Sequence, residues 1–245
     1  MAASRSRPDR HIVAMGGGVL LPETGNLCLE RYILDISGKR RPRVCFVPTA
    51  SGDDQTYILR FYQSYARLTP ALSHLPFFRR TPLDLRGFVL AQDVIHVGGG
   101  NTKSMLAVWR EYGFDVILRE AWERGIVLCG SSAGSICWFQ EAVTDSIDGP
   151  LTRLDGLGFL PGSNCPHYDG EKDRRPAYQR MVRSGLIADG YAADDGVGIH
   201  FINQRLHRAI SARPKSKAYR LERHGRSVRE RAIPTSYLRA RAKGG

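Results

Sequence analysis

Gly130-Ser131-Ser132-Ala133-Gly134 follows the apolar run Gly125-Ile126-Val127-Leu128-Cys129 and opens a segment predicted to be helical over Ser135 to Phe139. This is the G-x-S-x-G elbow in the strand-to-helix context it requires. The flanking glycines let the chain turn sharply, so the Ser132 hydroxyl projects while nearby N–H groups stay free for a developing oxyanion. Capping of the following helix is the competing use, and Ser131 is the better candidate for it. A serine hydroxyl is a weak nucleophile at neutral pH and needs a base. Of seven histidines, His167 is best placed, in the turn-rich stretch Asn164-Cys165-Pro166-His167-Tyr168-Asp169. His96 reads as a packed core residue, and His200 as one that can face the sheet edge. The acid that would orient the imidazole is Asp145, Asp148, Asp155 or Asp169; spacing alone does not choose among them.

These groups must be carried by strands and helices. His11 to Gly18, Arg43 to Ala50, Asp93 to Gly100 and Gly125 to Gly130 are short apolar runs that end in small residues. Helical apolar spacing falls between them, over Leu27 to Ile36, Tyr57 to Leu68, Thr102 to Tyr112 and Asp115 to Arg124. Such alternation predicts an α/β fold with a mostly parallel central sheet and helices on both faces. The glycine-rich loops would then gather at the carboxyl edge of the sheet, where open α/β folds hold ligands. Gly16 to Gly18 and Gly98 to Gly100 match neither a dinucleotide fingerprint nor a P-loop. Short strands follow from Asp194 onward. With no linker in view, residues 11–245 are expected to form one domain after a flexible N-terminus at 1–10.

Charge and cysteine usage narrow the function classes. Much of the net charge of +12 comes from Arg213 to Gly245, which carries +9. There, Ala218 to Glu222 and Ser227 to Arg231 flank His224-Gly225 as a hairpin would. A solvated basic strand face is the reading, and no nucleic-acid partner is expected. Five scattered cysteines suggest neither disulfides nor zinc. No metal or organic cofactor, signal segment or membrane span is expected, so the protein is placed in the cytoplasm.

Several stretches together carry a family resemblance: Ala14 to Gly18, Pro48 to Asp53, Gly98 to Thr102, Gly130 to Gly134, Cys165 to Asp169 and Asp194-Asp195-Gly196. From about His11 to Leu238 the chain resembles the S51 serine peptidases, the group of dipeptidase E and cyanophycinase. Their fold is similar to class I glutamine amidotransferases and flavodoxin-like. The resemblance implies Ser132 as nucleophile, His167 as base, and an oxyanion hole near Gly99 and Gly100 and at Ala133. It points to Asp148 as the acid, with Asp145 and Asp169 kept open. It further implies hydrolysis of small peptides, foremost Asp-X dipeptides. Arg174 or Arg175 would then meet the substrate carboxylate, and Asp194 or Asp195 its amine. A cyanophycinase-like or other small-amide hydrolase is the nearest alternative, and a noncatalytic sensor on the same fold the alternative from another class. A cysteine-dependent amidotransferase is disfavoured because serine occupies the elbow. Either a monomer or a homodimer is compatible with the sequence.

Overall fold

The computed structural model describes residues 8–20 and 26–239. Residues 1–7 of the expected flexible N-terminus, and 240–245 of the basic C-terminal segment, lie outside the described residues. The apolar runs form strands β1 (His11–Met15), β2 (Val44–Val47), β4 (Val94–Val97) and β5 (Val127–Ser131), with β3 (Leu72–His74) at an edge. They pair in parallel in the order β3-β2-β4-β5-β1. Helices α1 (Cys28–Ile36), α2 (Gln55–Tyr65), α3 (Leu85–Leu90), α4 (Thr102–Glu111) and α5 (Phe114–Glu123) connect them.

Alternation along each strand sends side chains to two cores, which is why the runs are apolar throughout. Val13, Met15, Val44, Phe46, Val127 and Cys129 meet Leu29 and Ile33 of α1 and Phe61 and Tyr65 of α2. Ile12, Ala14, Val47, Val97 and Leu128 meet Trp109 of α4 and Trp122 of α5 on the other face. All five cysteines are buried and free.

Beyond β1 the sheet continues through β10 (Val197–Ile202), β11 (Arg205–Ser211) and β14 (Thr235–Tyr237), with β10 antiparallel to β1. A second, six-stranded sheet was not anticipated. It is built from β6 (Phe139–Thr144), β7 (Thr152–Asp155), β8 (Leu160–Cys165), β9 (Gly190–Ala193), β12 (Ala218–His224) and β13 (Ser227–Ile233), with α7 (Arg174–Ser184) against it. The helix after the elbow is correspondingly shorter than expected: α6 covers Ala133–Ile136, and Phe139 already begins β6. Backbone pairing ends it, since Leu157 N–H donates to Cys137 O and Leu160 N–H to Trp138 O. The expected hairpin forms as β12 and β13, turning at Gly225 with φ 61°.

Two histidines sit inside this framework as neutral hydrogen-bonding groups. His96 is fully buried on β4, with Nδ1 2.9 Å from the Tyr65 hydroxyl. His200 does not face the sheet edge: it is buried on β10, 3.0 Å from His11 Nδ1 and 2.8 Å from the Tyr32 hydroxyl. Burial pushes both imidazoles down to about 3, and neighbouring His11, His207 and Arg208 add to the effect at His200. Below the unfolded-state value near 6.5 the unfolded chain takes up these protons and the fold does not. Stability therefore falls as pH drops from about 6.5 toward 3. At pH 5 the loss is about 2 kcal/mol for each histidine. Denaturant titrations at pH 7 and pH 5 are expected to show a smaller pH-dependent loss in His200→Asn than in the parent; an equal loss would refute the assignment.

Candidate active site

Ser132 lies between β5 and α6 with φ 55° and ψ −117°, a left-handed conformation that non-glycine residues rarely adopt. The two glycines of the elbow make this tight turn possible. A Cβ at Gly130 would collide with the Gly134 carbonyl oxygen, and one at Gly134 with the Val97 carbonyl oxygen on β4. Ser132 is the residue preceding α6, and its carbonyl accepts from Ser135 and Ile136. Its hydroxyl caps nothing. Ser131 is buried in β5, so neither serine plays the capping role.

His167 follows β8 and Pro166 with φ 53°. Its Nδ1 lies 2.7 Å from Asp195 Oδ1. That hydrogen bond is the main reason the Asp195 carboxyl sits below the ordinary range; burial opposes it, and Arg213 and Arg174 assist. An ionised carboxylate only accepts, so Nδ1 carries the hydrogen, and in the neutral imidazole the lone pair is then on Nε2. Among the described residues, no hydrogen bond yet joins Ser132 Oγ to the imidazole. Catalytic contacts of this kind often tighten only when substrate is bound.

Asp195, not Asp148, is therefore the carboxylate that meets His167. Asp148 is exposed in the turn between β6 and β7. Asp145 pairs with Arg174, and Asp155 with Arg153. Asp169 serves one step removed: its Oδ1 accepts from Asp195 N–H at 2.8 Å, and its Oδ2 lies 3.3 Å from Arg213. Arg213 also donates to the Asp195 carbonyl. The adjacent Asp194 faces inward and accepts from Lys217 N–H, and burial pushes its carboxyl up. One signal for Asp195 was present in the sequence: Asp194-Asp195-Gly196 ends a strand-like run in small residues, as the elbow does. The family resemblance pointed to Asp148 instead.

The remaining expected residues separate by environment. Gly99 packs against Ser132, since a Cβ there would lie 3.2 Å from Ser132 Cβ. Its N–H donates to the Tyr57 hydroxyl at 3.1 Å. Gly100, with φ 134°, cannot carry a side chain because the Ala50 carbonyl occupies that space. Among the described residues the N–H groups of Gly100 and Ala133 have no acceptor. Arg174 is buried and bound by Glu171, Asp145 and the Val143 carbonyl. Arg175 is half exposed, pairs with Glu230 and lies over the rings of Tyr168 and Tyr219. Among the described residues no three His, Cys, Asp or Glu side chains form a metal-ligand group, and no helix is long and apolar enough to cross a membrane.

Gly17 seals the arrangement, because a Cβ there would overlap both the His167 ring and Asp195 Oδ1. Gly17→Ala is expected to cut turnover by about 100-fold or more, on the scale of misplaced catalytic groups. Parallel steady-state assays and thermal melting of folded protein check this; near-normal turnover would show that the pair tolerates displacement.

Comparison with known proteins identifies the family and the fold. Residues 12–209 match the model of Peptidase family S51. The chain is 53% identical over 229 residues to the uncharacterized peptidase YgaJ of Bacillus subtilis (strain 168), covering 94% of this chain and 99% of that one. It is 27% identical over 190 residues to Peptidase E of Pasteurella multocida (strain Pm70), covering 72% of this chain and 77% of that one. In fold it is similar to the crystal structure of a peptidase from an acI-B1 Actinobacterium, with TM-score 0.68, 15% identity, and 92% and 94% of the two chains covered. A putative peptidase E protein of Listeria monocytogenes EGD-e has TM-score 0.61 at 18% identity, covering 81% of this chain and 97% of that one.

Proposed function

The chain belongs to peptidase family S51 and is a serine-type peptidase, and on that premise we propose that Ser132, His167 and Asp195 form its catalytic triad and that it hydrolyses small peptides, foremost Asp-X dipeptides. The observation that carries the triad is the His167–Asp195 hydrogen bond of 2.7 Å, in a loop tied to the same strand end as the elbow serine. The substrate class rests on the resemblance to dipeptidase E and on a relative named Peptidase E.

In this reading His167 Nε2 takes the Ser132 proton as Oγ attacks the scissile carbonyl carbon. Gly100 and Ala133 N–H are donors for the resulting oxyanion, both without an acceptor among the described residues. His167 then gives its proton to the departing amine. Water, deprotonated by the same imidazole, releases the acyl group. Asp195 remains ionised and holds the imidazole while it is charged.

Arg175 is the proposed contact for the substrate's side-chain carboxylate, because its guanidinium stays partly exposed and lies over two aromatic rings. Arg175→Ala is expected to raise KM for Asp-X about tenfold or more, the scale of one charge-assisted hydrogen bond, while leaving any Ala-X cleavage unchanged. Equal effects on both substrates would remove Arg175 from this role.

The triad is tested by assaying Asp-X, Glu-X, Ala-X and β-Asp-Arg dipeptides with the parent, Ser132→Ala, Asp195→Ala and Asp148→Ala. Expected are Asp-X cleavage by the parent, loss in Ser132→Ala, a drop of about 10⁴-fold in Asp195→Ala, and near-parental rates in Asp148→Ala. Preference for β-Asp-Arg would redirect the substrate to a cyanophycin-like polymer. Retained hydrolysis by Ser132→Ala would end the mechanism.

A further inference from the structure

Tyr57 reaches the glycine that packs on the nucleophile, and among the described residues its hydroxyl hydrogen has no acceptor. Its position is over-determined. Asp54 Oδ1 accepts from Tyr57 N–H at 2.7 Å, fixing it in the first turn of α2. Its ring packs edge-on against Phe46, with centroids 5.1 Å apart. The ring also lies over Gly98, where a Cβ would come within 3.0 Å of Tyr57 Cε1. The hydroxyl oxygen thereby arrives 3.1 Å from the N–H of Gly99, the glycine whose Cα packs on Ser132. A tyrosine hydroxyl that accepts one hydrogen bond still has a hydrogen to donate. Among the described residues it has no acceptor.

An oxygen at hydrogen-bond distance from Gly99 N–H occupies the place that an oxyanion held by that N–H would take. The backbone donor is thus already spent, and the hydroxyl presents a donor in its stead. Given the Ser132 reading above, we propose that Tyr57 is a further catalytic residue: its hydroxyl donates to the substrate oxygen that becomes negative as Ser132 attacks. No proton is transferred; the O–H bond persists throughout and only the hydrogen bond shortens as charge builds. Gly99 N–H acts through the hydroxyl, since accepting a hydrogen bond polarises the O–H and strengthens it as a donor. This arrangement extends the reach of a backbone dipole while keeping the donor rigid, which is the condition for electrostatic stabilisation of a transition state.

Tyr57→Phe keeps the ring and its packing and removes only the hydroxyl. In steady-state assays on a dipeptide that the parent cleaves, kcat is expected to fall roughly 10- to 100-fold, at or below the usual loss for one oxyanion donor because Gly99 N–H is freed to compensate in part. KM should stay within about threefold. An aldehyde analogue of the cleaved residue, which adds Ser132 Oγ to give a tetrahedral oxyanion, should bind more weakly by a similar factor. The departing amino acid, which carries no atom of the attacked carbonyl, should inhibit as before. A merely structural tyrosine would move product binding and the melting temperature instead. Unchanged or faster turnover in Tyr57→Phe, with Ser132→Ala inactive, overturns the role of Tyr57 alone and leaves the oxyanion to the Gly100 and Ala133 N–H groups. Activity surviving in Ser132→Ala overturns the triad and this proposal together.

Discussion

Three consecutive carbonyls at the end of β1 hold the site together. Met15 O accepts from Ser132 N–H, Gly16 O from His167 N–H, and Gly17 O from Gly196 N–H, at 3.3, 3.2 and 2.8 Å. The elbow, the histidine loop and the aspartate turn come from distant parts of the chain and converge on one strip of backbone. Buried backbone groups must be paired, so the requirement to satisfy these carbonyls doubles as the requirement that places the functional side chains. Gly16 and Gly17 are needed for close approach, because a Cβ at Gly16 would strike the carbonyls of Ala193 and Asp194 and one at Gly17 would strike the His167–Asp195 pair.

Charge in the site is arranged by what each carboxylate and guanidinium has already found. Asp194 and Asp195 are neighbours with opposite fates: one is pushed up by burial and spent on Lys217 N–H, the other is pulled down by His167. Arg174 is adjacent to Arg175 yet lies inside, satisfied by two carboxylates and a carbonyl. A buried cation with three such partners has a structural explanation. Arg213 and Asp169 brace the Asp195 backbone, so the orientation of the proposed acid depends on residues that need never touch substrate.

Local pattern was enough to recognise much of the fold. β1, β2, β4 and β5, and helices α1, α2, α4 and α5, overlap the apolar runs and helical spacings read from the sequence, with α2 and α5 beginning slightly earlier and β5 ending one residue later, because each buries a regular set of side chains. Apart from its β12–β13 hairpin, the second sheet was not legible. A strand such as β7 alternates partly exposed and exposed residues, and which sheet a strand joins depends on pairings such as β8 with β9 and β9 with β12 that no local pattern encodes.

The site divides in the same way. The sequence by itself determined the serine elbow and drew attention to His167, since a glycine-flanked turn after an apolar strand is a local requirement and a histidine among prolines is a local signal. Only the tertiary structure decided that Asp195 meets the imidazole, that Arg174 is buried among its partners, and that Tyr57 reaches Gly99 N–H. Those are contacts between loops and helices far apart in the chain, and distance along a sequence carries no information about them until the sheet has set the loops side by side.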